Sequence, residues 1–160
     1  APLRVLAAAD LPPGEDKLIA ILSGAGDSIR LNLIPDHSGT SAAGTLRFFN
    51  LCPKPVGLSL PGERQVIPAG KELVIHPKVK PSEYGQAQFF LPKEDEGWQV
   101  AGGLRWLQLE DIRSILFLLP APGDPGIIVI RGVEERIAEE IKSPTAPAQD
   151  KKISKSKVLR

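Results

Sequence analysis

Ile29-Arg30-Leu31-Asn32-Leu33 decides how the chain folds. Aliphatic side chains take the odd positions and polar ones the even positions, and a period of two sorts the two sets onto opposite faces of a β-strand. The same beat returns in Val56, Leu58 and Leu60, with Gly57 and Ser59 turned the other way. In Thr45 to Leu51, one face carries Leu46, Phe48 and Asn50, and the other carries Arg47 and Phe49. Further strand candidates are Leu3 to Ala8, Leu18 to Leu22, Leu73 to His76, Ala87 to Leu91, Gly103 to Leu109, Ile115 to Leu119 and Ile127 to Arg131;.

Between these runs lie stops such as Pro12-Pro13-Gly14, Gly24-Ala25-Gly26-Asp27, Pro61-Gly62, Pro68-Ala69-Gly70-Lys71 and Pro122-Gly123-Asp124-Pro125-Gly126. Proline presets φ there, and Gly or Asp tolerates the tight turn. With 16 Pro and 15 Gly scattered over 160 residues, the chain is cut into pieces too short for long helices;. About ten short strands at roughly ten-residue spacing predict an all-β, antiparallel β-sandwich. No segment has the length and helical period that a parallel crossover requires. Residues 1–142 read as one domain and residues 143–160 as a basic C-terminal extension, extended or mobile;.

One helix is expected. Val133, Ile137 and Ile141 recur at i, i+4 and i+8, acids come early, Lys142 comes late, and Ser143-Pro144 stops the run;. Ile115 to Leu119 and Ile127 to Ile130 are apolar on both faces. Such strands lie centrally under another element, or one face is buried against a second copy in a homodimer.

Charge narrows the partners. The formal net charge is +1, but residues 143–160 hold five of the 20 basic residues and one of the 19 acids, leaving 15 basic and 18 acidic residues in the body. A body of that sign gives no general attraction for nucleic acid, and a short lysine-rich end is ordinarily solvated. No apolar run is long enough to span a membrane. One Cys precludes an intrachain disulfide;. The chain opens on Ala1-Pro2 and contains no Met, and small residues are typical after signal cleavage, so a secreted or periplasmic location is the expectation;.

Each chemistry-bearing residue has a plain alternative. Asp36, His37 and Ser38 put an acid, an imidazole and a hydroxyl on one loop, yet adjacent side chains usually diverge and these residue types also build turns;. Cys52 and His76 stand 24 residues apart with no Met in the chain, which does not suit a blue-copper site, and no paired CxxC or HxxxH spacing suits zinc;. Cys52 has only Lys54 nearby to activate it and reads as a buried thiol;. Gly24-Ala25-Gly26 and Gly102-Gly103 are too short for a phosphate loop;. Neither catalytic residue, metal nor cofactor is expected.

The aromatics are the binding candidates. Trp98, Trp106 and Tyr84, beside the acidic run Glu94-Asp95-Glu96, suit a sugar or cation platform as well as a core;. An unbroken strand would put Trp98 and Trp106 on one face, but Gly102-Gly103 falls between them;.

The stretch Leu46-Arg47-Phe48-Phe49-Asn50-Leu51-Cys52-Pro53-Lys54-Pro55-Val56, followed by Leu58-Ser59-Leu60-Pro61-Gly62 and Ile67-Pro68-Ala69-Gly70, resembles small uncharacterised secreted bacterial immunoglobulin-like β-sandwich proteins. The resemblance covers about residues 45–70 and consists of strand and turn residues, so it implies a fold and a compartment and carries over no site. The expectation is a non-enzymatic, secreted or cell-envelope β-sandwich that binds or bridges a protein or polysaccharide. The alternative is a carbohydrate-binding domain using Trp98, Trp106 and Tyr84.

Overall fold

The computed structural model describes residues 3–24, 28–36, 41–93 and 97–137. Among the described residues there are ten strands and no α-helix. In chain order they are β1 (Leu18–Ser23), β2 (Arg30–Pro35), β3 (Leu46–Asn50), β4 (Val56–Leu60), β5 (Glu63–Ile67), β6 (Glu72–Ile75), β7 (Tyr84–Lys93), β8 (Gly97–Leu107), β9 (Ile112–Ala121) and β10 (Asp124–Arg136). A front sheet runs β5-β4-β7-β8, a back sheet runs β10-β9-β3-β6, and β1–β2 form a separate hairpin. Every pairing is antiparallel except β3 with β9, which is parallel.

The alternation read from the sequence sorts side chains to the core as expected. Leu46 and Phe48 of β3 and Leu116 and Leu118 of β9 meet Val56, Leu58, Ala87, Phe89 and Leu91 of the front sheet. Phe48 and Phe89 touch edge to face across the sandwich, ring centres 5.8 Å apart. Each of the buried Val, Leu and Phe side chains stabilises the fold by about 1.5–3 kcal/mol relative to exposure. Asn50 is the polar knot of this core. Its Nδ2 donates to the carbonyls of Ile67 and Lys54 at 2.9 and 3.0 Å, while its Oδ1 accepts the Cys52 N–H at 2.9 Å. The motif-like run from Leu46 to Gly70 thus carries an architectural role, tying the end of β3 to the loops around it.

The central strands of the back sheet, β3 and β9, are covered on both sides. Their outward residues Phe49, Ile115 and Phe117 pack against Ile19, Ile21 and Ile34 of the β1–β2 hairpin, which forms a roof. Phe49 and Phe117 stack with ring centres 5.5 Å apart. The two-faced apolar character of Ile115 to Leu119 therefore has an intrachain cause.

Two expectations need correction, and one strand was not expected. The helix from Val133 does not start: Val133 to Arg136 continue β10, with Val133 opposite Ile115 and Glu135 opposite Arg113. A ladder partner and an ion pair there outweigh local helical spacing. Residues from Ala138 onward, including the rest of that helix and the 143–160 extension, lie outside the described residues. Leu3 to Ala8 form no strand, and Leu3, Val5 and Leu6 are exposed. Conversely, β5 had no apolar alternation to betray it. It is a polar edge strand (Glu-Arg-Gln-Val-Ile), and charge on an edge discourages pairing with other chains;.

Candidate functional site: the open face of the front sheet

The front sheet has no roof among the described residues, and strand register fixes what it shows to solvent. Four rows run across it: Val66–Gly57–Phe90–Val100, then Arg64–Ser59–Gln88–Gly103, then Gln86–Arg105, then Tyr84–Leu107. Trp98, opposite Pro92, stands at the apolar end. A furrow of about 390 Å³ lies along Gly57, Ser59, Arg64, Val66, Phe90 and Trp98. It adjoins a second of about 640 Å³ beside Ser59, Gln86, Gln88, Gly103 and Arg105.

Trp98 is 47% exposed, and its indole rests over β4, where a Cβ on Gly57 would stand 3.2 Å from Trp98 Cε3. The missing side chain at Gly57 leaves room for the ring to approach β4 closely. Tyr84, 62% exposed, is covered on one side by the Arg105 guanidinium, 4.2 Å from the ring centre. Eight residue steps of β7 separate the Tyr84 and Pro92 positions, about 26 Å at roughly 3.3 Å per residue. The two aromatics therefore mark opposite ends of one face.

Trp106 belongs to the other side. A register shift in β7–β8 between Phe89 and Phe90, opposite the Ala101–Gly102 stretch, inverts the alternation along β8. Trp98 points out and Trp106 points in, where it is 7% exposed. Its Nε1–H donates to Gln108 Oε1 at 3.0 Å, and Gln108 Nε2 in turn donates to the Gly44 carbonyl at 2.9 Å. The ring occupies the place of a side chain at Gly85, since a Cβ there would fall 2.1 Å from Trp106 Cζ2. Trp106 is removed from the platform and assigned to the core.

The residues that looked catalytic do other work. Asp36, just past β2, is the centre of an ion network that clamps the roof to the back sheet. Its Oδ1 accepts from Arg47 Nη1 at 3.0 Å and Arg113 Nη1 at 2.9 Å, and its Oδ2 accepts from Arg113 Nη2 at 2.7 Å. Arg47, 1% exposed, also donates to Glu72, and Arg113 to Glu135, at 2.7 and 2.6 Å. The Arg113 hydrogen bond, with the charges of Arg113 and Arg47, holds the Asp36 carboxyl below its usual range against the opposing effect of burial. The mid-strand arginines in Leu46-Arg47-Phe48 and Ile112-Arg113-Ser114 were the available signal, because a buried guanidinium demands a carboxylate. His37 and Glu94 to Glu96 lie outside the described residues, and His76 is exposed just after β6.

A third concavity, about 460 Å³, opens at one end of the sandwich beside Cys52, Lys54, Leu91, Gln99 and Pro120. Burial pushes the Cys52 thiol up, and its Sγ–H points at the Leu118 carbonyl 3.6 Å away. A protonated thiol without a base beside it is a poor nucleophile. Among the described residues no three His, Cys, Asp or Glu side chains gather as a metal site would need. Among the described residues no helix is long and apolar enough to cross a membrane.

Fold and site together define a class: an all-β sandwich with one roofed sheet and one open, aromatic-ended sheet. No protein-family model matches the chain, and no curated protein matches it.

Proposed function

We propose that the chain is a non-enzymatic, secreted or cell-envelope β-sandwich that holds another macromolecule on the open face of its front sheet. The inequality of the two sheets supports this reading. The hairpin covers the centre of one outer face, at Phe49, Ile115 and Phe117, whereas the other exposes Trp98, Val66, Val100 and Tyr84 around a polar centre. A face of that length and mixed chemistry suits an extended polymer better than a small solute, which would want an enclosed cavity. Half-exposed Trp and Tyr offer flat apolar surfaces on which sugar rings stack. A glycan array probed with the full chain tests the reading. An extended glycan should be retained, and Trp98→Ala should weaken retention about tenfold, which corresponds to about 1.4 kcal/mol. Absence of every glycan signal would refute carbohydrate binding.

A homodimer through the same face is the second reading, favoured by the adjacent exposed side chains Val66, Trp98 and Val100. Light scattering at rising concentration distinguishes the two. A dimer dissolved by Val100→Lys supports it, and a strict monomer ends it.

A further inference from the structure

Resting on the front face as the binding surface, we propose that its ligand is an anionic linear glycan, a uronate-bearing polysaccharide whose carboxylates pair with Arg64 and Arg105 while a sugar ring stacks on Trp98. The inference comes from charge. Among the described residues, every outward position of the front sheet is apolar, neutral polar or basic. Arg64 and Arg105 are the two cations there, both exposed, and neither has an ion pair among the described residues. Elsewhere in this molecule interior arginines are answered by acids, as Arg47 and Arg113 are by Asp36, Glu72 and Glu135. The two front-sheet guanidinia, Arg64 on one furrow and Arg105 on the furrow that adjoins it, each present a planar, bidentate match for carboxylate;.

Spacing favours a sugar acid over nucleic acid. Three strand steps of roughly 4.8 Å and two residue steps of roughly 3.3 Å put the Arg64 and Arg105 backbones about 16 Å apart. A nucleic acid strand carries a charge about every 3.4 Å and is met by a dense basic groove, not by two cations on an acidic body. A polyuronate carries its charge once per sugar or less and surrounds it with hydroxyls. Gln86, Gln88 and Ser59, lying between the arginines, supply both donors and acceptors for those hydroxyls;. Arg105 is held in place by Tyr84, so part of its ordering cost is met before ligand arrives;.

Affinity electrophoresis of the full chain through gels containing polygalacturonate, hyaluronan or fully methyl-esterified polygalacturonate tests the proposal. The acidic polymers should retard the wild type, and raised salt should reduce the effect. The methyl ester, identical in backbone but uncharged, should bind at least tenfold more weakly, the scale expected for lost charge-assisted hydrogen bonds. Arg64→Gln with Arg105→Gln should erase the difference between acid and ester, and an unchanged circular dichroism spectrum would show that the variant is folded. Equal binding to acid and ester, weakened by Trp98→Ala, would overturn the anionic assignment and leave the front-face reading standing. No retardation by any of these polymers or by neutral glycans would overturn carbohydrate binding of any kind, and with it this assignment. Tighter binding of oligo(dT), dependent on the same arginines, would overturn the glycan assignment in favour of nucleic acid.

Discussion

Replacing Asp36 by Asn removes the charge that two interior arginines share. The side chain keeps its shape, but the amide nitrogen turns a donor toward one of three guanidinium N–H groups now bonded at 2.7–3.0 Å. Breaking a buried pair from one side costs about 3–5 kcal/mol. The lower end applies here, because Arg47 retains Glu72 and Arg113 retains Glu135, both reaching solvent at the rim. A loss of about 3 kcal/mol, at a urea m-value of about 2 kcal/mol/M, moves the unfolding midpoint down by about 1.5 M. Urea titration followed by tryptophan fluorescence reads this through buried Trp106. The direction with pH is also fixed. The folded carboxyl has a pKa below that of an ordinary aspartate, so its contribution is complete above the ordinary value and is lost as pH falls through the folded pKa;. Wild type and Asp36→Asn should therefore differ most near neutrality and converge in strong acid. A midpoint shift below about 0.5 M at pH 7, which is about 1 kcal/mol at the same m-value, would refute the network as the clamp of the roof.

Three further outcomes follow from the packing. Gly85→Ala forces a methyl group into the Trp106 ring and should destabilise the fold by about 1–3 kcal/mol, read as a lowered thermal midpoint, whereas an unchanged midpoint would contradict the close approach. Acrylamide should quench two distinct tryptophan populations in the native protein, with Trp98→Phe removing the accessible one; a single uniformly quenched population would contradict the inversion along β8. Cys52, buried and with its thiol pKa raised, should react with a thiol reagent at pH 8 only as fast as the chain opens, and full labelling within the mixing time would place the thiol on the surface;.

Local alternation carried most of the architecture. Leu31, Leu46, Phe48, Val56 and Leu58 announced their strands because each half-buried strand must divide its side chains between core and outside. The failures were of two kinds. Val133 and Ile137 fit a helical spacing as well as a strand, and only β9, with Ile115 and Arg113 waiting in register, decides between them. Glu63 to Ile67 is polar because it is an edge, so the signal that reveals a central strand is missing there. The site divided in the same way. Trp98, Trp106 and Tyr84 were legible together as aromatic candidates, but which of the two tryptophans faces outward depends on a bulge that Gly102-Gly103 only hinted at. Asp36 looked like a turn residue because its partners, Arg47 and Arg113, are 11 and 77 positions away. No local pattern contains that separation.

The open front sheet is tested most directly by mapping a bound chain of sugars residue by residue. In ¹⁵N-labelled protein, an oligogalacturonate should shift the Trp98 indole resonance and the amides of β4, β5, β7 and β8 near Arg64, Gln88 and Arg105, leaving β1, β2 and the Trp106 indole unmoved. Shifts confined to the β1–β2 roof or to the cleft beside Cys52, with Trp98 silent, would contradict the account.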